Sequence, residues 1–235
     1  MTAPPAFVSY EFADREELCL CTAPQSHRRI LLVPPLFDEM NRMRKMLVDV
    51  MRALEALEVG SFLPDLPGTN ESLVALEQTS LSDWQNAIQT CAQQHDISHI
   101  ASFRAGALTI AAMPEASHWV FSPVKGATIL RTMMRTRVAA DREAGLSTSL
   151  AQLTEQAEAG SIELAGNILG SGLFKQLNAA DIPQMPDQRV ARLDSDSKPA
   201  DVHIPGSPLW LRAEPDDDLA MSSAIAQDIA QWIGQ

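Results

Sequence analysis

The sequence predicts an α/β fold, a mostly parallel sheet with helices on both faces, and three observations point to it. Short apolar runs suited to buried parallel strands recur along the chain, Arg28 to Val33 being the clearest. These runs alternate with stretches whose apolar residues fall at helical spacing, and right-handed crossovers turn such alternation into a parallel sheet. A length of 235 residues, 46% of them apolar, is enough for one well-buried core.

Residues 7 to 22 read as one or two short strands. Arg28 to Val33 is the first core strand, ended by Pro34 and Pro35. From Glu39 to Leu57, the positions Met40, Met43, Leu47, Met51, Leu54 and Leu57 recur with the period of an amphipathic helix. Strand Val59 to Leu63 runs into Pro64-Asp65-Leu66-Pro67-Gly68-Thr69-Asn70-Glu71-Ser72, whose Pro, Gly and Asn are turn residues, and a helix from Leu81 to His95 follows. The third unit is strand Ile97 to Phe103 and helix Ala105 to Met113. Trp119 to Phe121 supplies a fourth core strand.

Alternation then stops. Helices are expected at Ala127 to Ala144, Leu150 to Ala159 and Leu164 to Leu177, with no strand among them, which suits a lid. The division is therefore 1–124 and 186–235 as core, with 125–185 as a helical lid inserted in it. The final part carries a strand at Arg189 to Leu193, a better one at Pro208 to Ala213 and a terminal helix from Leu219 to Ile233. Asp187 to Asp201 reads as a solvated loop.

Lys and Arg number 18 against 30 Asp and Glu, a net charge of -12 whose field repels nucleic acid and anionic lipid. No apolar stretch approaches the ~20 residues of a membrane span, and the start lacks the form of a signal peptide, so a cytoplasmic protein is expected. Three cysteines fit a reducing compartment. Cys19 and Cys21 alternate and share one face of a strand, but no second Cys or His cluster stands at ligand spacing. They read, like Cys91, as small buried apolar residues, and neither metal nor cofactor is expected.

Ser102-Phe103-Arg104-Ala105-Gly106, between a strand and a helix, has the small-x-nucleophile-x-Gly form of a nucleophile elbow, with arginine in the nucleophile's place. A guanidinium with a pKa above about 12 acts neither as acyl nucleophile nor as base at neutral pH. An elbow side chain stands at a helix N-terminus, where orphan N–H groups favour anions. Two readings of Arg104 follow. Either Asp38, Glu39 or Asp216 neutralises it internally, or it receives a carboxylate, phosphate or carrier-bound acyl group.

In a nucleophile-acid-histidine order, His27, His95, His99 and His118 come too early and His203 precedes the expected last strand, so all five read as structural or surface residues. Ser72, Ser102 and Ser122 lack an identifiable base and read as turn or capping residues. Lys125, Arg131, Arg135, Arg137 and Arg142 form a basic strip interleaved with Ile129, Leu130, Met133, Met134 and Val138. This is either an ordinary amphipathic helix with solvated arginines or an acyl-lined lid that offers its basic face to an acidic partner.

Several motifs together resemble one superfamily. The loop from Asp65 to Ser72 resembles the Asp-Leu-x-Gly-x-Gly-x-Ser loop of α/β-hydrolases, and Ala213-Glu214-Pro215-Asp216 resembles their Gly-x-x-Asp acid loop. Val33 to Met46 is similar to the Pro-x-x-x-Glu-Glu-Met-Asn-x-x-Arg segment of the exosortase A system-associated hydrolases, the second of the two such groups being the nearer. That group also has arginine at the elbow, in Gly-Leu-Arg-Leu-Gly-Ala. Trp119 to Gly126, Leu130 to Arg137 and Ala159 to Gly166 resemble its lid. The likeness runs from about Arg28 to Ile182, plus Pro208 to Asp218; Ser102 replaces the first elbow glycine, and Asp38 stands where glutamate is usual.

The resemblance implies an α/β-hydrolase core with a helical lid and a shortened C-terminus, in bacteria, near exosortase and exopolysaccharide loci and often beside an acyl carrier protein. It implies a degenerate hydrolase that binds an acyl-type or anionic ligand, or an acyl carrier protein, between lid and sheet without Ser-His-Asp chemistry. The residues expected around the ligand are Arg104, Phe37, Glu39, Asn41, Ser102, Ala105, Met133 and Met134, with Asp216 at the acid position. The alternatives are an esterase, thioesterase or acyltransferase with relocated residues, and a non-catalytic subunit of a companion hydrolase. The sequence names neither ligand nor oligomeric state.

Overall fold

The computed structural model describes residues 4–234. Its main sheet has eight strands in the order β1-β2-β4-β3-β5-β6-β9-β10. β1 (Ala6–Phe12) and β2 (Arg15–Thr22) form an antiparallel hairpin, and β2 joins β4 (Val59–Pro64) antiparallel. From there β3 (Arg28–Val33), β5 (His99–Phe103), β6 (Ser117–Phe121), β9 (Gln188–Leu193) and β10 (Val202–Ile204) run parallel. The apolar runs become central strands because covering helices bury both of their faces.

Period-two alternation divides the interior in two. Ile30, Leu32, Phe103, Trp119 and Phe121 face α1 (Asp38–Ala56) and α6 (Leu219–Ile233). Leu31, Val33, Ile100 and Val120 face the other way, in one apolar cluster with α2 (Leu81–Gln94) and the helices that follow β6. α2 starts on a capping box in which Ser80 and Asp83 exchange side-chain and backbone bonds.

Several expectations need correction. The segment after the elbow, Arg104–Ala112, is a 3-10 run and not an α-helix, tightened where the Thr109 hydroxyl donates to the Gly106 carbonyl at 2.9 Å. Between β6 and β9, α3 (Gly126–Glu143) and α4 (Leu150–Ala159) form as expected, but the third helix does not start at Leu164. A hairpin, β7 (Ile162–Leu164) and β8 (Asn167–Leu169), comes first, and α5 spans Ser171–Ala179. Its two-residue turn places Ala165 and Gly166 at φ 50° and 78°, and the flanking alternation of buried Ile162 and Leu164 about exposed Glu163 is that of a strand.

Pro208 to Ala213 is not a strand either. It contains a 3-10 turn, Leu209–Leu211, whose amides bond locally, Leu211 N–H to the Pro208 carbonyl at 3.0 Å and Arg212 N–H to the Leu209 carbonyl at 3.1 Å, instead of to a neighbouring strand. The last strand is β10, so His203 lies in that strand, exposed, and the solvated loop shrinks to the residues between Leu193 and Val202.

Candidate functional site

β5 delivers the chain to a sharp turn at Arg104, whose φ of 57° lies in the left-handed region that side chains other than glycine rarely enter. Two residues on, a Cβ on Gly106 would collide with the Pro34 carbonyl at the end of β3. Glycine is required there because the turn packs directly on the neighbouring strand's exit. The backbone of a nucleophile elbow is therefore present, strain included.

The guanidinium it projects is enclosed. Nε and Nη2 of Arg104 donate to the two carboxylate oxygens of Glu39, both at 3.0 Å, and Nη1 donates to the Ser122 carbonyl at 2.8 Å. Trp210 covers the flat face, its ring centre 4.0 Å from the guanidinium carbon. Side-chain exposure is 13% for Arg104 and 14% for Glu39, so the pair is largely desolvated and bidentate. Of the three acids expected as partners, Glu39 is the one found. Asp38 stands 3.7 Å from Arg42, and Asp216 pairs with Arg212 on an exposed loop.

Strain gathers at this place. Phe37 precedes α1 with φ 57°, and Ser122, just past β6, has φ 43°. Both touch the same arrangement, Phe37 lining the cleft beside Glu39 and Ser122 through its carbonyl. Conformations that cost about 1 kcal/mol or more each persist where surrounding packing enforces them, and they concentrate at functional sites.

A cleft of about 370 Å³ opens above the pair, between the β3–α1 and β5 exits on one side and α3 on the other. Phe37, Glu39, Arg104 and Met133, all expected at the site, line it. Asn41 is exposed on α1 and away from the cleft lining, Ser102 and Ala105 are fully buried beneath the elbow, and Met134 turns into the apolar cluster. Ser102 and Ser122 each bury a hydroxyl with no partner among the described residues. Ser72 is a turn residue whose oxygen accepts from the amides of Gly68 and Val74 and whose hydroxyl donates to Glu17.

Sequence reasoning missed Trp210, Arg42 and the hydroxyls of Thr128, Thr132 and Thr136, which also line the cleft. Trp210 carries the most information, since it sits on the loop after the last strand, where a triad would hold its histidine. None of the five histidines lines the cleft. His118 is buried, its Nε2 2.8 Å from the Met113 carbonyl, and burial pushes its pKa down. Asp216 does not end a strand, so it does not occupy an acid position; the loop after β9 carries Asp194 and Asp196 instead, and Asp196 pairs with Arg192 at 2.9 Å.

In the basic strip, Lys125 pairs with Asp181, and Arg137 with Asp141 and Glu163, while Arg131, Arg135 and Arg142 are exposed without an ion pair among the described residues. The three cysteines are buried free thiols. A hydrogen bond with Cys91, together with burial, holds the Cys19 thiol well above its ordinary pKa. Among the described residues no group of three or more His, Cys, Asp or Glu is placed to hold a metal ion, and no helix is long and apolar enough to cross a membrane.

No protein-family model matches the sequence, and no curated protein matches it. Solved structures do. Est1E from Butyrivibrio proteoclasticus with ferulic acid bound aligns at a TM-score of 0.63 and 12% identity, over 96% of this chain and 97% of that one. The thioesterase domain from the curacin biosynthetic pathway aligns at a TM-score of 0.55 and 13% identity, over 99% of this chain and 100% of that one. Identity this low speaks for architecture alone, and with the strand order and the strained elbow it shows that the chain has an α/β-hydrolase fold.

Proposed function

We propose that this protein binds a small acyl-type or anionic ligand in the cleft between α3 and the sheet edge, and that it does so without Ser-His-Asp chemistry. The observation that carries this reading is the elbow, which keeps its strained backbone while a guanidinium closed off by Glu39, Ser122 and Trp210 stands where the nucleophile would be. No acyl-enzyme can form on that side chain. The residual cleft supports retention of a ligand. Est1E holds ferulic acid and the curacin domain is a thioesterase, which supports an acyl-type compound as the class to try.

In this reading residues 125–185 act as a lid on the 1–124 and 186–235 core. The segment around Asp38 to Arg44 and the arginine at the elbow support a place among the exosortase A system-associated hydrolases, and with it a bacterial, cytoplasmic setting. Arg131, Arg135 and Arg142 recur along one face of α3 on a chain of net charge -12, which supports an acidic partner such as an acyl carrier protein. A companion hydrolase is the other partner this grouping suggests.

The test is chemical. A fluorophosphonate probe is expected to leave the protein unlabelled, and short-chain p-nitrophenyl esters and acyl thioesters to turn over at the buffer rate. Stoichiometric labelling at Ser102 or Ser122, or turnover well above background, would establish instead an esterase or thioesterase with relocated residues.

A further inference from the structure

The two guanidiniums at the cleft are unequally engaged. Arg104 has its fork closed by Glu39. Arg42, one turn along α1 from Asp38, has a single hydrogen bond, from Nη1 to the Trp210 carbonyl at 3.0 Å. Its nearest carboxylate oxygen, on Asp38, is 3.7 Å from Nη2, beyond hydrogen-bond reach. The Nε–Nη2 edge of Arg42 therefore offers two parallel donors with no hydrogen-bond partner among the described residues, on a side chain 29% exposed.

We propose that Arg42 anchors the carboxylate of a small amphipathic monocarboxylic acid, whose apolar body lies against Phe37, Ile129 and Met133. The inference rests on the cleft being a ligand site and specifies what it recognises. Two arginines and two acids line the cleft, Arg42 and Arg104 against Asp38 and Glu39, so there is no surplus positive charge for a dianionic phosphate. One free fork matches one carboxylate. A volume of about 370 Å³ accommodates a short chain or single ring, and Phe37, Val124, Ile129 and Met133 give it apolar lining beside the threonines of α3. Asp38 competes with the ligand, since its loose pairing keeps the guanidinium at the cleft yet opposes an incoming anion.

The experiment is isothermal titration of the full chain with sodium octanoate and, separately, with octanamide, which has the same chain without the charge. Octanoate is expected to bind about tenfold or more tightly than octanamide, the usual weight of a charged hydrogen-bonded contact. Arg42→Met should erase that preference, lowering octanoate binding about tenfold or more while octanamide, which accepts only a neutral hydrogen bond, loses much less. Asp38→Asn should act in the opposite direction, tightening octanoate several-fold and octanamide far less. Equal binding of the two compounds by the native protein, or a preference that survives in Arg42→Met, overturns the anchor and leaves the cleft a neutral acyl site. If neither compound binds, the cleft is not an acyl site and both readings fall.

Discussion

Burying a guanidinium over a sheet edge is costly unless its charge and donors are met, and Glu39 meets both for Arg104. Removing one member strands the other. Arg104→Met and Glu39→Met should each lower stability by about 3 kcal/mol. The double variant Arg104→Met/Glu39→Met should recover most of that loss, because two apolar side chains leave no orphan charge. Urea denaturation reads the cycle, and additive losses would mean that the pair is not coupled. A second buried acid behaves differently. Glu17 is 2% exposed, with Ser72 donating to one oxygen and no partner for the other among the described residues. Burial pushes its carboxyl pKa up, against the Ser72 bond, with Asp65 adding to the rise and Arg15 opposing it; Asp65 itself is raised by burial. A pKa raised in the fold means that the native state holds the proton more firmly, so this group's contribution falls as pH climbs from the ordinary carboxylate range through the raised value. Glu17→Gln should therefore raise the melting temperature at pH 7 and change it little near pH 4. A larger gain at pH 4 than at pH 7 would contradict the sign.

Two glycines let elements approach each other backbone to backbone. Gly106 sits against the Pro34 carbonyl, and Gly126, at the start of α3, sits against the Leu177 carbonyl of α5. Alanine at either should cost on the order of 1–3 kcal/mol, since backbone has to move. Chemical denaturation of Gly160→Ala, where the added carbon meets nothing within 4 Å, is the matched control. By hydrogen exchange, amides of α3 and α4 should open before those of β3, β5 and β6, because the helices keep a solvent face and the inner strands do not; equal protection would make the helices an integral layer. Where periodicity extends over many residues, as in α1 or β3, the sequence announces the element. β10 and the two strands of the 162–169 hairpin have three residues each, too few to show a period, and two buried neighbours, Leu209 and Trp210, imitate a strand. The same limit hid half of the site. The elbow was readable from five contiguous residues, but Trp210 and Arg42 reach Arg104 and its cleft from loops and helices distant in sequence, and their convergence depends on the sheet order.

At the scale of the whole molecule, the sheet keeps two apolar interiors apart, and the thiols lie within the side that holds α2. Native protein should give almost no reaction with a disulfide reagent such as DTNB, and three equivalents on unfolding; prompt reaction of one thiol would show that β2 or α2 opens readily. The indoles are spread over both interiors and the rim. Trp84 and Trp119 are fully buried on opposite faces, Trp232 lies at the far end against His99, and Trp210 alone stands on the cleft. With its ring over a cation and its edge on the opening, Trp210 gives the molecule a built-in optical gauge. Emission from Trp210→Phe, subtracted from that of the native chain, isolates the light from one indole, so filling of the cleft is read as a change in its wavelength and yield without any attached dye.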